Sequence, residues 1–323
     1  MSTRTIPSAL GEVATGDLGI TLMHEHLFVL SPDSQINWVR DWDERQQITD
    51  AIDRLKRLRV SGVRTIVDPT VDGLGRDIHR VLTVAEQVPD LNILVATGIY
   101  TYGDVPPYFS YRGPNRYRDL PEPMVELFVR DIREGIQGTD VKACLLKCAI
   151  DEQGMTAGVE RVLRAVAAAH RETGTPIMVH THPGTRTVLE VQRVLDSEGV
   201  PPAAVQLAHS GDTTDVDHLS ELAEAGYLLG MDRFGVDVIL GFDDRVATVA
   251  EMCRRGFARS MVLSQDAACH IDWIAPELLD LLPNWHYQHV LDDVVPALEQ
   301  RGVEQGDITA MLVDNPRRWF ERS

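Results

Sequence analysis

The sequence predicts an α/β fold: a single (β/α)8 TIM-type barrel whose active site lies at the C-terminal ends of its strands. Three observations predict it. Eight short apolar runs rich in β-branched residues recur from end to end of the chain. Longer segments with apolar residues at helix spacing separate them. Residue types that bind metals gather at the ends of those runs, the face on which barrel enzymes carry their chemistry.

The strand candidates are Leu18–His26, Val63–Thr70, Asn92–Gly98, Lys142–Ile150, Pro176–His182, Ala204–Gly211, Tyr227–Arg233 and Ser260–Asp266. Helical periodicity occupies Gln47–Val60, Met124–Ile136, Val159–Thr173, Thr187–Glu198, Asp215–Ala225 and Thr248–Gly256. A further helix, His289–Arg301, follows the last strand. Parallel strands need a helix-sized crossover, so this alternation predicts a parallel sheet covered by helices. The rival architecture is a doubly wound open sheet, which usually announces itself with a glycine-rich first turn. Neither GxGxxG after a strand nor GxxxxGK[ST] occurs, so nucleotide-binding readings fall away. No repeat, low-complexity tract or linker divides the 323 residues. The expectation is one domain, residues 1–323. Its longest connections are Leu27–Gln46, Tyr100–Glu122 and Ala267–Gln288, and loops of that length in a compact domain tend to be functional.

Charge narrows the partners. The chain has 31 basic and 49 acidic side chains and a formal net charge of −18. Such a surface repels phosphate backbones and anionic membranes, which excludes nucleic acid and points to a small neutral substrate. No run approaches the roughly 18 apolar residues of a membrane helix. Met1–Ile20 lacks a basic n-region and an apolar h-region, so a cytoplasmic location is expected. Four cysteines are too few for a disulfide scaffold. Cys144 and Cys148 share a strand with Lys147, and parity turns both towards the helices as core residues.

The chemistry begins at His24-Glu25-His26, which closes the first strand candidate. Alternation puts both imidazoles on one face, with Glu25 opposite. Alone, this pair reads more readily as ordinary hydrogen-bonded histidines than as metal ligands. Lys147 then stands near the end of the fourth strand, His180 ends the fifth, His209 the sixth and Asp266 the eighth. Chance does not readily place a ligand-type residue at so many strand ends. Lys147 is the sharpest of these, because lysine occurs only at Lys56, Lys142 and Lys147 in an arginine-favouring chain. An ammonium beside metals would be expelled, whereas a neutral amine can take up carbon dioxide and become an anionic carbamate. The plain alternative is a lysine reaching out of the strand end or paired with Asp151. By parity Asp232, beside Arg233, reads as structural. His182 reads as a loop histidine, and His79, His170, His218, His286 and His289 fall in helical or loop stretches with no expected chemistry. Tyr100, Tyr102, Tyr108, Phe109 and Trp273 read as pocket lining, with loop packing as the competing account.

The set His24-x-His26, Lys147, His180, His209 and Asp266 resembles the amidohydrolase superfamily, and specifically the phosphotriesterase family. Further likeness lies in Gly98-Ile99-Tyr100, Ala208-His209-Ser210-Gly211-Asp212-Thr213, Gly230-Met231-Asp232-Arg233-Phe234-Gly235 and Asn315-Pro316-Arg317-Arg318-Trp319-Phe320. These segments look most like the phosphotriesterase-like lactonases. The resemblance implies two divalent metal ions (Zn, Co, Mn or Fe) bridged by carboxylated Lys147 and a hydroxide. His24, His26 and Asp266 would hold one ion, and His180 and His209 the other. Asp266 would move the proton, Tyr100 and Arg233 would face the developing oxyanion, and Trp273 would line the acyl or leaving-group pocket. Ala268 stands where the family usually has cysteine, with Cys269 next, so the pocket shape departs from the pattern. The expected activity is hydrolysis of lactones, N-acyl-homoserine lactones among them, with promiscuous action on organophosphate triesters. The alternatives are a dedicated phosphotriesterase and a metal-binding barrel without activity. A homodimer is the expected assembly.

Overall fold

The computed structural model describes residues 4–38, 42–115 and 119–322. Parts of the expected loops Leu27–Gln46 and Tyr100–Glu122 therefore lie outside the described residues. A short hairpin comes first, β1 (Thr5–Ser8) against antiparallel β2 (Gly11–Ala14), which the sequence reading did not anticipate. Eight parallel strands then form one sheet: β3 (Ile20–Leu22), β5 (Val63–Asp68), β6 (Asn92–Gly98), β7 (Leu145–Ala149), β8 (Ile177–His180), β9 (Val205–Ala208), β10 (Leu228–Met231) and β11 (Met261–Leu263). They neighbour one another in chain order, with helices between, as a (β/α)8 barrel requires.

The seam between β3 and β11 is closed by side chains and single backbone bonds. The amide of His24 donates to Ser264 Oγ at 2.9 Å, and the amide of Asp266 donates to the His24 carbonyl at 3.0 Å. Beyond the seam, β4 (His26–Val29) pairs in parallel with β12 (Ala268–Ile271). The expected first strand is thus two strands, broken at Met23-His24-Glu25. The reason is local: Glu25 turns away from the cavity and accepts the amides of Gln265 (2.9 Å) and Ala267 (3.0 Å). One buried carboxylate replaces two ladder bonds and staples the first strand to the last.

The helices follow from pattern and caps. In Ala157–Thr173, Thr156 caps the first turn, Gly174 ends the helix at φ 76°, and Val159, Val162, Leu163 and Val166 face the sheet. Each such fully buried aliphatic side chain contributes about 1.5–3 kcal/mol. Ile78–Ala85, capped by Asp77, is a helix that the sequence reading left out. His289–Arg301 forms as a π-helical turn, Val290–Val294, running into an α-helix, Val295–Gln300. Among the described residues, no helix is long and apolar enough to cross a membrane.

Two apolar layers result, one between sheet and helices and one inside the barrel floor. The floor contains Leu18, Met23, Val67, Leu94, Leu145, Met178 and Val262, sealed by Trp319 and Phe320 of the terminal helix. Cys148 joins the outer layer as expected, but Cys144 precedes β7 and joins the floor, so strand parity does not govern it. Gly98 closes β6 at φ 145°, where a Cβ would stand 1.8 Å from the Lys147 carbonyl oxygen. Only glycine allows β6 to run that close to β7 beneath Lys147.

Candidate active site

A cavity of about 230 Å³ opens at the C-terminal ends of the strands, with His24, His26, Lys147, His180, His209 and Asp266 all in its lining. Two groupings stand side by side. His24 Nε2 lies 3.3 Å and His26 Nε2 3.2 Å from Asp266 Oδ1. His180 Nδ1 lies 2.8 Å from His209 Nε2. The family resemblance assigns one ion to each of these groupings.

Every ring has its other nitrogen fixed. Asp232, fully buried, accepts from His24 Nδ1 at 2.9 Å through one oxygen and from His209 Nδ1 at 3.0 Å through the other. Asp151 Oδ2 stands 2.5 Å from His180 Nε2. Thr70 Oγ1 accepts from His26 Nδ1 at 2.7 Å and donates in turn to Asp68. These partners choose the tautomers, so each ring turns a lone pair into the cavity. The parity reading of Asp232 is corrected: β10 ends at Met231, strand alternation ends with it, and the carboxylate swings inwards. Asp151 serves His180 rather than Lys147.

Backbone conformation marks the same place. His209 and Asp266 adopt φ of 66° and 52°, a left-handed conformation that non-glycine residues rarely hold and that recurs at functional sites.

Burial sets the charges. It lowers the His180 imidazole to about 4 despite the pull of Asp151. Burial also lowers His209 well below its usual value, helped by the Arg233 charge, and lowers His24, helped by Lys147. His26 goes the other way, because its bonds to Asp266 and Asp68 outweigh its burial. Three neutral imidazoles in one cavity are suited to a cation rather than a proton. Asp266 is held well below the carboxylate range, because its bond to His26 and the charge of Arg233 outweigh the cost of burying it.

Lys147 is 1% exposed and forms no ion pair among the described residues. Among the described residues its Nζ has His24 Nε2 at 3.5 Å and Met178 Sδ at 3.4 Å for partners. Burial lowers its amine to about 8. An ammonium fits this place badly, and a neutral amine fits well.

Tyr100 and Arg233 also reach the cavity. The Tyr100 hydroxyl lies 3.1 Å from His180 Nδ1 and 2.5 Å from the Tyr102 hydroxyl. Burial and Tyr102 raise its pKa well above the ordinary phenol value, so the proton stays on. Arg233 donates to Asp266 Oδ2 at 3.1 Å and to Asp212 Oδ2 at 3.0 Å. Arg245 pairs with the far side of Asp212 at 2.7 Å. Trp273, 43% exposed, stands at the rim with its ring 5.8 Å from that of Tyr100. Val236, Ile239, Ile271 and Ile274 complete an apolar wall.

Some expected lining residues lie elsewhere. Tyr108 is exposed and Phe109 belongs to the outer core. His182 caps the turn Pro183–Thr185. Trp285 was missed: its indole donates to the Gln265 and Asp266 carbonyls at 3.0 and 3.1 Å and lines the cavity. Nothing in its surrounding sequence signals that reach.

The comparisons agree with this geometry. The phosphotriesterase family matches the chain over residues 4–320. The chain is 55% identical over 317 residues to a phosphotriesterase homology protein from Mycobacterium tuberculosis (strain ATCC 25618 / H37Rv), covering 98% of this chain and 97% of that protein. It is 39% identical over 311 residues to an aryldialkylphosphatase from Saccharolobus solfataricus, covering 95% and 96%. A solved phosphotriesterase from Mycobacterium tuberculosis superposes with a TM-score of 0.97 at 54% identity, covering 99% of both chains. The chain is a member of the phosphotriesterase family, metal-dependent hydrolases of the amidohydrolase superfamily that act on esters.

Proposed function

We propose that this hydrolase opens lactones, N-acyl-homoserine lactones in particular, and turns over organophosphate triesters more slowly. The observation that carries the reading is the asymmetry of the cavity. Its floor is imidazole, amine and carboxylate, and its wall is Val236, Ile239, Ile271, Ile274 and Trp273. One polar floor with one apolar wall suits a compact ester ring with a single alkyl tail.

In this reading His24, His26 and Asp266 would hold one divalent ion and His180 and His209 a second, and Lys147, as its carbamate, would add an anionic oxygen ligand. The neutral Lys147 amine forms an N–C bond to carbon dioxide as one C=O π bond opens, and it releases one N–H proton to solvent, leaving a carbamate anion in place of the neutral amine. When bound, the ions supply Lewis acidity and lower the pKa of water. The residues do the rest. Tyr100 donates its hydroxyl proton in a hydrogen bond to the substrate oxygen, and Arg233 adds fixed positive charge beside it. Asp266 accepts the proton of the attacking water and delivers it to the ring oxygen as the acyl C–O bond breaks. Arg233 holds Asp266 in position for that transfer. The unbroken family match supports treating residues 1–323 as one domain.

A second reading is a dedicated phosphotriesterase, favoured by the 39% identical relative named as an aryldialkylphosphatase. A chain-length series of acyl-homoserine lactones beside one diethyl aryl triester separates the two. The proposal expects every medium-chain lactone to exceed the triester in kcat/KM. A triester tenfold faster than every lactone makes the phosphotriesterase reading the correct one.

A further inference from the structure

A second set of metal-ligating side chains lies on the segment that follows Trp285, outside the cavity. His286, His289 and Asp293 each bring one ligand atom within 4.8 Å of the others. The two imidazoles meet edge to face with centroids 5.7 Å apart. His289 Nδ1 lies 2.8 Å from Asp293 Oδ2. The other nitrogen, His289 Nε2, is buried and has no hydrogen-bond partner among the described residues. A simple His–Asp pair one helical turn apart explains the 2.8 Å contact. It does not explain why the His286 ring approaches the pair.

The backbone supports the same place. Val290–Val294 is a π-helical turn, a wide and unfavourable form that concentrates at functional sites. Asp293 lies within that turn, immediately beyond His289. Its side chain is 52% exposed and His286 is half-buried, so solvent reaches one side of the cluster and can complete a coordination shell.

We propose that His286, His289 and Asp293 form a separate site for one divalent transition-metal ion, Zn²⁺ or a close neighbour. Two imidazoles and one carboxylate select zinc-like ions, whereas calcium and magnesium require oxygen ligands. The site's position gives it a structural consequence. Trp285 stands one residue before His286 and holds the Gln265 and Asp266 carbonyls. The Gln265 side-chain amide in turn donates to the backbone carbonyls of His286 and Tyr287. An ion at this cluster therefore clamps the segment that braces the end of β11. It touches no reacting atom, and its role does not depend on which substrate the cavity takes.

The test is zinc stoichiometry by equilibrium dialysis and elemental analysis on the whole, zinc-loaded enzyme. His286→Ala and Asp293→Asn are the variants, chosen because both side chains reach solvent and neither change empties the core. The wild type is expected to hold one more zinc per chain than either variant. Added zinc should raise Tm in the wild type by several degrees more than in the variants, with ester turnover by the loaded enzymes unchanged. Equal zinc counts in all three proteins, with equal Tm responses, overturn the site. The zinc count of the variants reports the barrel-mouth centre separately, so failure of one assignment is distinguishable from failure of the other.

Discussion

His180 Nδ1 and His209 Nε2 face each other at 2.8 Å, and the outer nitrogen of each ring is held by a carboxylate, Asp151 for one and Asp232 for the other. Asp232 also holds His24, so it orients one ring in each of the two groupings. Outer-shell partners of this kind tune metal affinity by about 10–100-fold. Asp232→Ala should lose metal from both groupings on dialysis, and Asp151→Asn from the His180–His209 side alone. Circular dichroism would show that both remain folded. Full metal retention by Asp232→Ala would show that the rings need no such support.

The lowered amine of Lys147 gives a pH dependence with a definite sign. With a pKa of about 8, roughly a quarter of the amine is neutral at pH 7.5, against about one part in a thousand at the ordinary value. Only the neutral form takes up carbon dioxide. Reactivation of metal-stripped enzyme by bicarbonate and divalent metal should therefore accelerate as pH rises through 8 and stall below about 6. A rate flat from pH 6 to 9 would remove the carbamate from the account. Lys147→Ala should be nearly inactive, with partial recovery when a short carboxylic acid replaces the missing anion.

Much of this site was legible because each ligand candidate ends an apolar run, and a barrel brings strand ends together. His24, His26, Lys147, His180, His209 and Asp266 could be read that way. Asp151, Thr70 and Asp232 could not, because they lie beyond the strand ends, where alternation no longer reports direction, and Asp68, the last residue of β5, reaches His26 through Thr70, which strand pattern does not signal. Trp285 reaches the cavity from 19 residues beyond Asp266 in sequence, through a loop that no periodicity describes. The Ile78–Ala85 helix did leave a signal, an Asp77 cap before apolar residues at helical spacing. The hairpin of β1 and β2 left almost none, since each strand has four residues, one of them containing proline.

Glu25 carries a stability prediction. Its carboxylate accepts two buried amides across the barrel seam. Glu25→Ala leaves both unsatisfied at about 1–3 kcal/mol each, so a loss of about 2–6 kcal/mol is expected in urea unfolding. A cost under 1 kcal/mol would mean that the seam is held by β4, β12 and the His24 contacts alone.

Trp273 and the isoleucines beside it should set chain-length preference. Each methylene buried against them contributes about 0.8 kcal/mol, so kcat/KM should rise several-fold per carbon and then level off. Trp273→Ala should flatten that rise while sparing short lactones. An unchanged slope in the variant would place the acyl tail elsewhere.

The central claim is that the six side chains at the barrel mouth hold two divalent ions. The most direct measurement is the metal content per chain of fully active enzyme, compared with His26→Asn and referred to the His286→Ala background so that only the barrel mouth is counted. Two ions per chain are predicted in the His286→Ala protein, with metal and activity falling together when His26→Asn is added. Full activity at a single ion per chain would contradict the claim.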